Sequence, residues 1–432
     1  MSHLGSRPEI PSPPRPTFRP VSQVDDDIWL TTLPEQTMVS VRAWFPVGYL
    51  DHPELPPGVG GITNRLLSCG AGLLDDVAFS RARTRAMALL SAGSWSRCSR
   101  ISLTVPEAFL DRGLELLAMM RTSPRFDVSS IQEVVSDEIV NLRDNEGNSG
   151  HIAWQAMLPR YWGVDSEMAR YQRRSADVLE GLLRSEIQSS WQRRFRDAEP
   201  LFLVAGPVRE AKLREAIRKH FPPSAGASSS PSVVLPQVSP GREVLPNPMA
   251  NQAFLRVDLP CAASLHPDRP GQSAGSMALG YGLSSRLPSI LRARLGWTYG
   301  VDVETPPARD ASSFHVSCFV QEDVTFEARD IIERELRKLT DGIHPDELKC
   351  FLAQATLGFI NSFESSWNTT DLYCDYLRMG LLPDGVEQRA RDFLELTLDE
   401  ACDALSRLPV DLMVSTTVLS EGSEQRMEES RD

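Results

Sequence analysis

Histidine and cysteine are the first residues to weigh for chemistry, and the 432-residue chain has seven of each. The histidines stand at positions 3, 52, 151, 220, 266, 315 and 344, so no two share a helical turn. Two imidazoles face one metal from one helix only at i and i+4. No CxxC pair occurs among the cysteines, which removes the usual knuckle of a structural zinc site. A hydrolytic zinc centre needs three protein ligands, an open position for water, and a carboxylate to take the proton. The helical stretch GGITNRLLSCG, Gly60 to Gly70, holds Asn64, Leu67 and Ser68. An amide and a hydroxyl do not replace two imidazoles, and Leu67 has no proton to move. Zinc hydrolysis by this chain alone is not expected. Ser68 beside Cys69 has no histidine base nearby in sequence, so no nucleophile is assigned there.

Composition narrows the partners. A formal net charge of -13 argues against nucleic acid, whose phosphates call for a basic surface. No apolar run reaches the length needed to span a bilayer. The opening MSHLGSRPEIPSPPRPTFRP lacks the apolar region of a secretory signal, and scattered cysteines in odd number suit a reducing compartment. The expectation is a cytoplasmic protein with no membrane contact.

The elements that must position any site divide into two similar sets. Residues 1–20 are proline-rich and read as a disordered arm, and residues 426–432 as a disordered tail. A Pro/Ser/Gly-rich stretch, 222–248, reads as a linker. It separates an N-terminal half, 21–221, from a C-terminal half, 249–425. Each half opens on alternating strand residues, MVSVRAWFPV and QAFLRVDLPC, followed by a turn and helical residues near 59–70 and 271–294. Each returns to a strand, ISLTVP and SSFHVSCFV, then enters a long helix. The apolar stripes are Phe109, Leu110, Leu114 and Leu117 in one, Ile331, Ile332, Leu336 and Leu339 in the other. Strands followed by runs of helices predict an α+β fold of two similar α/β-layered halves, each an antiparallel-rich sheet with helices on one side.

Several strings in this order resemble one family. The approach WFPVGYLDHPELPPGVGG and the helix after it resemble the pitrilysin/insulinase-type inverted zinc peptidases, which carry HxxEH at this point. The resemblance makes Asn64, Leu67 and Ser68 degenerate zinc-site positions, standing where His, Glu and His would be. FDVSSIQEVVSDEIVNLRDN resembles the helix that supplies the family's third ligand, and the matching residue is Glu138. Ile131, Val134, Val135, Ile139 and Leu142 form an apolar stripe that includes Glu138, so a buried carboxylate there would need a partner. Arg65 is the candidate, with a solvated glutamate at the stripe's edge as the alternative. PLFLVAGPV, from Pro200, resembles the strand that closes the first half.

The segment GYGLSSRLPSILRARLGWTYGV, Gly280 to Val301, resembles the part of the family that ends in an arginine and a tyrosine seven residues apart, here Arg292 and Tyr299. The resemblance implies that this pair reaches the peptidase chamber and acts catalytically, as donors to the substrate carbonyls and the oxyanion. Of the tryptophans, Trp297 alone has a positional argument for the chamber; Trp95, Trp154 and Trp162 read as core. A chain that has lost the zinc motif and kept the Arg/Tyr pair is similar to the complementary subunit of a two-chain peptidase. No cofactor is then expected in this chain, and zinc is expected in a homologous HxxEH-bearing partner, the pair cleaving peptides such as a ribosomal precursor or leader. The alternative is an inactive scaffold or peptide-binding homologue, and a homodimeric pseudoenzyme is a third reading.

Overall fold

In the computed structural model, which describes residues 17–172, 174–222 and 235–420, eleven strands form two sheets. The first sheet contains β1 (Val21–Asp25), β2 (Ile28–Thr32), β3 (Met38–Phe45), β4 (Leu89–Ser94), β5 (Ser99–Pro106) and β6 (Leu201–Gly206), in the order β1-β2-β6-β3-β5-β4. The second contains β7 (Gly241–Pro246), β8 (Ala253–Cys261), β9 (Asp302–Glu304), β10 (Ser312–Val320) and β11 (Val414–Leu419), in the order β7-β11-β8-β10-β9. With β1 set aside, the two orders coincide. Even the single parallel pairing recurs: β2 with β6, and β7 with β11. The molecule is thus an α+β duplication.

Strand β7 falls inside the stretch read from sequence as a linker. Its proline and glycine content disguises an edge strand, where missing donors and weak propensity are tolerated. Residues 223–234 of that stretch lie outside the described residues, as do most of the N-terminal arm and the C-terminal tail.

Nine helices carry the argument. In the first half they are α1 (Val59–Leu66), α2 (Leu110–Thr122), α3 (Val128–Glu146), α4 (Ser149–Trp162) and α5 (Arg184–Trp191). In the second they are α6 (Arg269–Gly280), α7 (Thr325–Lys338), α8 (Pro345–Ser362) and α9 (Ser366–Met379). Helix α1 packs against β4 and α3, and α6 packs against β9 and α8, so the corner that carries Asn64 has a counterpart in the second half. Leu110, Leu114 and Leu117 are buried in one core and Ile331, Ile332, Leu336 and Leu339 in the other. Phe109 lies in the turn before α2 and is part-exposed.

Each sheet has helices of its own half on one face. A helix lent by the other half covers the opposite face. On β3, Val39, Val41, Ala43 and Phe45 enter the first core, while Ser40 and Arg42 turn to α9. Ser40 Oγ lies 3.0 Å from Ser366 Oγ, and Arg42 Nε donates to Asp371 Oδ1 at 3.0 Å. The Arg42 guanidinium sits 4.2 Å from the Trp367 ring centroid. The second sheet repeats the device with α4: Arg256 of β8 sits 5.0 Å from the Trp154 ring, and Tyr161 donates to the Ser312 carbonyl at 2.8 Å. Arginine suits this place because its flat cation lies on an aromatic face and still reaches a carboxylate.

Candidate functional site: a plugged corner and an open one

Helix α1 forms because Val59, Ile62 and Leu66 repeat at helical spacing and all three are buried. It ends at Leu66, so Ser68 lies in the following turn, where its hydroxyl donates to the Arg65 carbonyl at 3.0 Å. Leu67 is fully buried in the first core. Asn64 points into the corner between α1 and β4, and its Oδ1 accepts from Ser94 Oγ at 3.1 Å and from Arg194 Nη1 at 3.2 Å.

Arg194 fills this corner. It belongs to the π-helical turn Gln192–Arg196 and is 1% exposed. Its Nε donates to the Ser190 carbonyl, its Nη2 to the Gly60 carbonyl at 3.2 Å and to Ser190 Oγ at 2.9 Å, and its Nη1 also to Ser94 Oγ. Gly60 permits the approach: a Cβ there would lie 3.5 Å from Nη1 and 3.1 Å from the Tyr171 hydroxyl. Burial pushes the guanidinium down to about 10, so it remains a cation at neutral pH. Neutral oxygens surround it, and no carboxylate pairs with it among the described residues.

These residues do not fit zinc. Asn64 Oδ1 already accepts from two donors, Leu67 is sealed in the core, and a guanidinium stands where a divalent cation would meet its charge. Among the described residues no group of three or more His, Cys, Asp or Glu side chains is placed to hold a metal ion. Glu138, on α3, turns each carboxylate oxygen to an arginine: Oε2 is 3.8 Å from Arg65 Nη1, and Oε1 is 3.5 Å from Arg174 Nη1. Arg65 donates instead to Asp137 Oδ2 at 2.7 Å and to the Val134 carbonyl at 3.4 Å. Glu138 is thus half-buried between two cations, with Arg65 one of them.

The second-half residues are displayed differently. Leu287 and Leu291 are buried in the second core and hold the π-helical turn Pro288–Arg294 in place, which leaves Arg292 exposed. The loop then folds back. Gly296, at φ +69°, allows the Trp297 amide to donate to the Leu291 carbonyl at 2.8 Å. Trp297 packs against the core and Thr298 is buried. Tyr299, next in line, is 87% exposed. No hydrogen bond or ion pair from either the Arg292 or the Tyr299 side chain exists among the described residues. Two inward anchors followed by an outward phenol make a presented side chain. Of the other tryptophans, Trp95 lies between Arg100 and Arg378, 5.1 and 5.5 Å from its ring, and Trp154 beneath Arg256.

Beyond this loop, α6 and β9 border a groove of about 510 Å³ lined by Met277, Val301, Val303, Phe351, Asp302 and Glu304 among others. It occupies the corner that corresponds to the one Arg194 fills.

Known proteins share this fold. The family model for the peptidase M16 inactive domain matches residues 181–350, a span that contains Arg292 and Tyr299 and excludes Asn64, Leu67 and Ser68. Residues 181–350 are thus similar to the inactive domain of the M16 peptidases, and the chain carries no HxxEH motif. The peptidase M16 inactive domain from Pseudomonas fluorescens superposes with a TM-score of 0.81 at 18% identity, over 93% of this chain and 98% of that one. A protease from Helicobacter pylori gives 0.82 at 19% identity, over 93% and 99%. The periplasmic protease PqqL from Escherichia coli gives 0.75 at 14% identity and covers 98% of this chain, which spans 49% of that protease. No curated protein matches. At these identities the structural likeness fixes the fold.

Sequence reasoning missed Arg194. The string QRRFRD offers three arginines, and nothing in it marks the one that turns inward. The usable signal was Gly60 followed by Gly61 in a helix, since glycine pairs inside helices cost stability unless something approaches closely.

Proposed function

We propose that this M16 chain is the non-zinc subunit of a heterodimeric metalloendopeptidase, supplying Arg292 and Tyr299 to a homologous partner that carries HxxEH and zinc. The observation that carries the reading is Tyr299, presented to solvent on an anchored loop with Arg292 exposed beside it. A purely architectural chain has no use for two polar donors held out in this way. The span of 49% against PqqL supports it further, since two chains of this size make up the length of that single-chain protease.

In this reading the partner's HxxEH residues would hold zinc, which would supply water activation and carbonyl polarisation. Arg292 and Tyr299 are donors with no protein acceptor to give up among the described residues. The guanidinium holds the substrate backbone in register, and the phenol hydroxyl donates to the carbonyl oxygen as it gains negative charge. Both interactions strengthen as the tetrahedral intermediate forms, which is what lowers the barrier. The substrate is an extended peptide, such as a ribosomal precursor or leader. Seven cysteines, all free, fit a cytoplasmic setting, and no helix among the described residues is long and apolar enough to cross a membrane.

The test is co-expression with the nearest HxxEH-bearing homologue, followed by peptidase assay and zinc determination of each chain and of the pair. Activity and zinc in the pair alone, with activity lost in Arg292→Ala, is the expected outcome. Association without activity, or none at all, would leave a scaffold as the function.

A further inference from the structure

The N–H groups of Arg194 meet only neutral oxygens, those of Ser190, Gly60, Asn64 and Ser94. Its charge therefore has no anion beside it. A cavity leads to it. The inner part, about 10 Å³, is walled by Gly60, Ser190, Arg194 and the loop 48–56. The outer part, about 140 Å³, opens between that loop and the short helix Glu167–Gln172. Tyr49, His52, Leu55 and Tyr171 line both parts, which makes them one cavity.

The walls define what it would take. Tyr49 and Tyr171 stack with ring centroids 3.8 Å apart and an interplanar angle of 10°. With Leu50, Leu55 and Pro57 they give flat, apolar sides. The polar groups farther in are donors. A Cβ on Gly60 would lie 3.1 Å from the Tyr171 hydroxyl and 3.5 Å from Arg194 Nη1, so the phenol and the cation meet at this glycine. That hydroxyl has no hydrogen-bond partner among the described residues. His52 Nδ1 accepts from Arg193 Nη1 at 3.4 Å, because a guanidinium only donates. Burial, with Arg193 adding to it, holds the imidazole below its ordinary value. The ring is then neutral at pH 7 with its proton on Nε2, and Nε2 is buried with no acceptor among the described residues. At the mouth Arg170 is exposed and in no ion pair among the described residues. Glu167, the single carboxylate of the lining, lies 4.0 Å from Arg97.

We infer that this cavity binds a small organic anion, a carboxylate on a flat apolar body the size of phenylacetate, with the ring along the tyrosine pair and the carboxylate turned inward toward Tyr171, His52 and the charge of Arg194. The dimensions agree: a cavity of about 150 Å³ takes one benzene ring, and about 10 Å³ takes one oxygen-sized atom. The ligand would supply the negative charge that the Arg194 corner lacks. A free aromatic acid and the carboxyl end of a peptide closing on an aromatic residue share this chemistry. The site belongs to the isolated chain, so it stands or falls apart from the heterodimer.

The experiment is isothermal titration calorimetry of the isolated full chain with three probes: phenylacetate, phenylacetamide and acetyl-glycyl-phenylalanine as the free acid. Saturable binding of a carboxylate probe is expected, with phenylacetamide about tenfold weaker than phenylacetate. Both acids test the same site, and the tighter of the two identifies its source. Leu55→Trp fills the outer part and should abolish binding, with circular dichroism unchanged. Tyr171→Phe keeps the stacked ring and should weaken phenylacetate about fivefold, and Arg170→Gln about threefold. Equal affinity for phenylacetate and phenylacetamide would overturn the inference. So would full affinity in Tyr171→Phe, binding that survives in folded Leu55→Trp, or no saturable binding of either acid up to about 10 mM.

Discussion

Arg194 Nη1 donates a 3.2 Å hydrogen bond to Asn64 Oδ1 from a position 1% exposed to solvent. A cation of the protein's own thus holds together the corner that the family resemblance marks as the degenerate zinc site. Restoring the ligands by Asn64→His, Leu67→Glu and Ser68→His should therefore not restore zinc binding. The guanidinium would remain, a carboxylate at position 67 would enter the core, and α1 ends before position 68. Metal analysis of the purified triple variant should find zinc far below one per chain, and stoichiometric zinc would refute the argument.

Removing the guanidinium should cost more than its exposure class suggests. Arg194→Leu takes one donor from each of the Gly60 and Ser190 carbonyls and from Asn64 Oδ1, which keeps only Ser94 Oγ, in a buried place. A loss of about 3 kcal/mol is expected, measured by urea denaturation. A change below about 0.5 kcal/mol would mean that the corner repacks freely.

Much of this was legible in the sequence, and the gaps have physical causes. Strand β10 runs from Ser312 to Val320, as its alternation foretold, and α1 begins where Val59, Ile62 and Leu66 set a helical period. Strand β7 was hidden because an edge strand tolerates proline and glycine. The crossed helices were hidden for a different reason. Apolar periodicity shows that α4 and α9 bury a face, but not which sheet receives it, so Trp154 read only as a core residue. Arg292 and Tyr299 were singled out by the family resemblance of their segment. Their outward display depends on Trp297 and Thr298 turning inward, which no local signal encodes.

The crossing of helices between halves predicts one cooperative unfolding transition for the whole chain. Asp371 of α9 holds both Arg42 and Arg100 of the first sheet, at 3.0 and 2.7 Å, and Arg42 is fully buried. Far-ultraviolet dichroism and tryptophan fluorescence should therefore report coincident melting curves. Asp371→Ala strands a buried cation and should cost about 3 kcal/mol, with the two signals separating as α9 loosens. Coincident curves in that variant would show that the apolar contacts of Tyr373, Tyr376 and Leu377 suffice.

Acid should weaken the fold through His315. Burial, with Arg256 adding to it, holds the imidazole down at about 4, against an ordinary value near 6.5. Glu304 Oε2 lies 3.7 Å from Nε2 and pulls the other way, but this carboxylate is 65% exposed and water screens it. A histidine whose folded value is depressed must stay neutral to fold. Its stability contribution is complete above about pH 6.5 and is lost as pH falls toward about 4, for a total of about 2–3 kcal/mol. Denaturation midpoints of wild type and His315→Gln, compared from pH 7 to 4, should diverge in slope, with the variant flatter. Parallel slopes would mean that His315 takes up its proton without cost.

Finally, Arg292 and Tyr299 should be silent in stability and loud in catalysis. Both side chains are exposed, and no hydrogen bond or ion pair among the described residues holds them, so Arg292→Ala and Tyr299→Phe should each change unfolding free energy by less than about 0.5 kcal/mol. In the proposed two-subunit peptidase each should lower kcat by about 10²–10³-fold, the usual cost of losing one donor to a developing oxyanion. The split between kcat and KM decides the role. A fall in kcat at nearly constant KM marks donors that act in the transition state, whereas a rise in KM alone marks residues that only hold the peptide. Tyr299→Phe is the sharper variant, because it keeps the ring and removes only the hydroxyl. Full activity in that variant would leave the phenol without a chemical part.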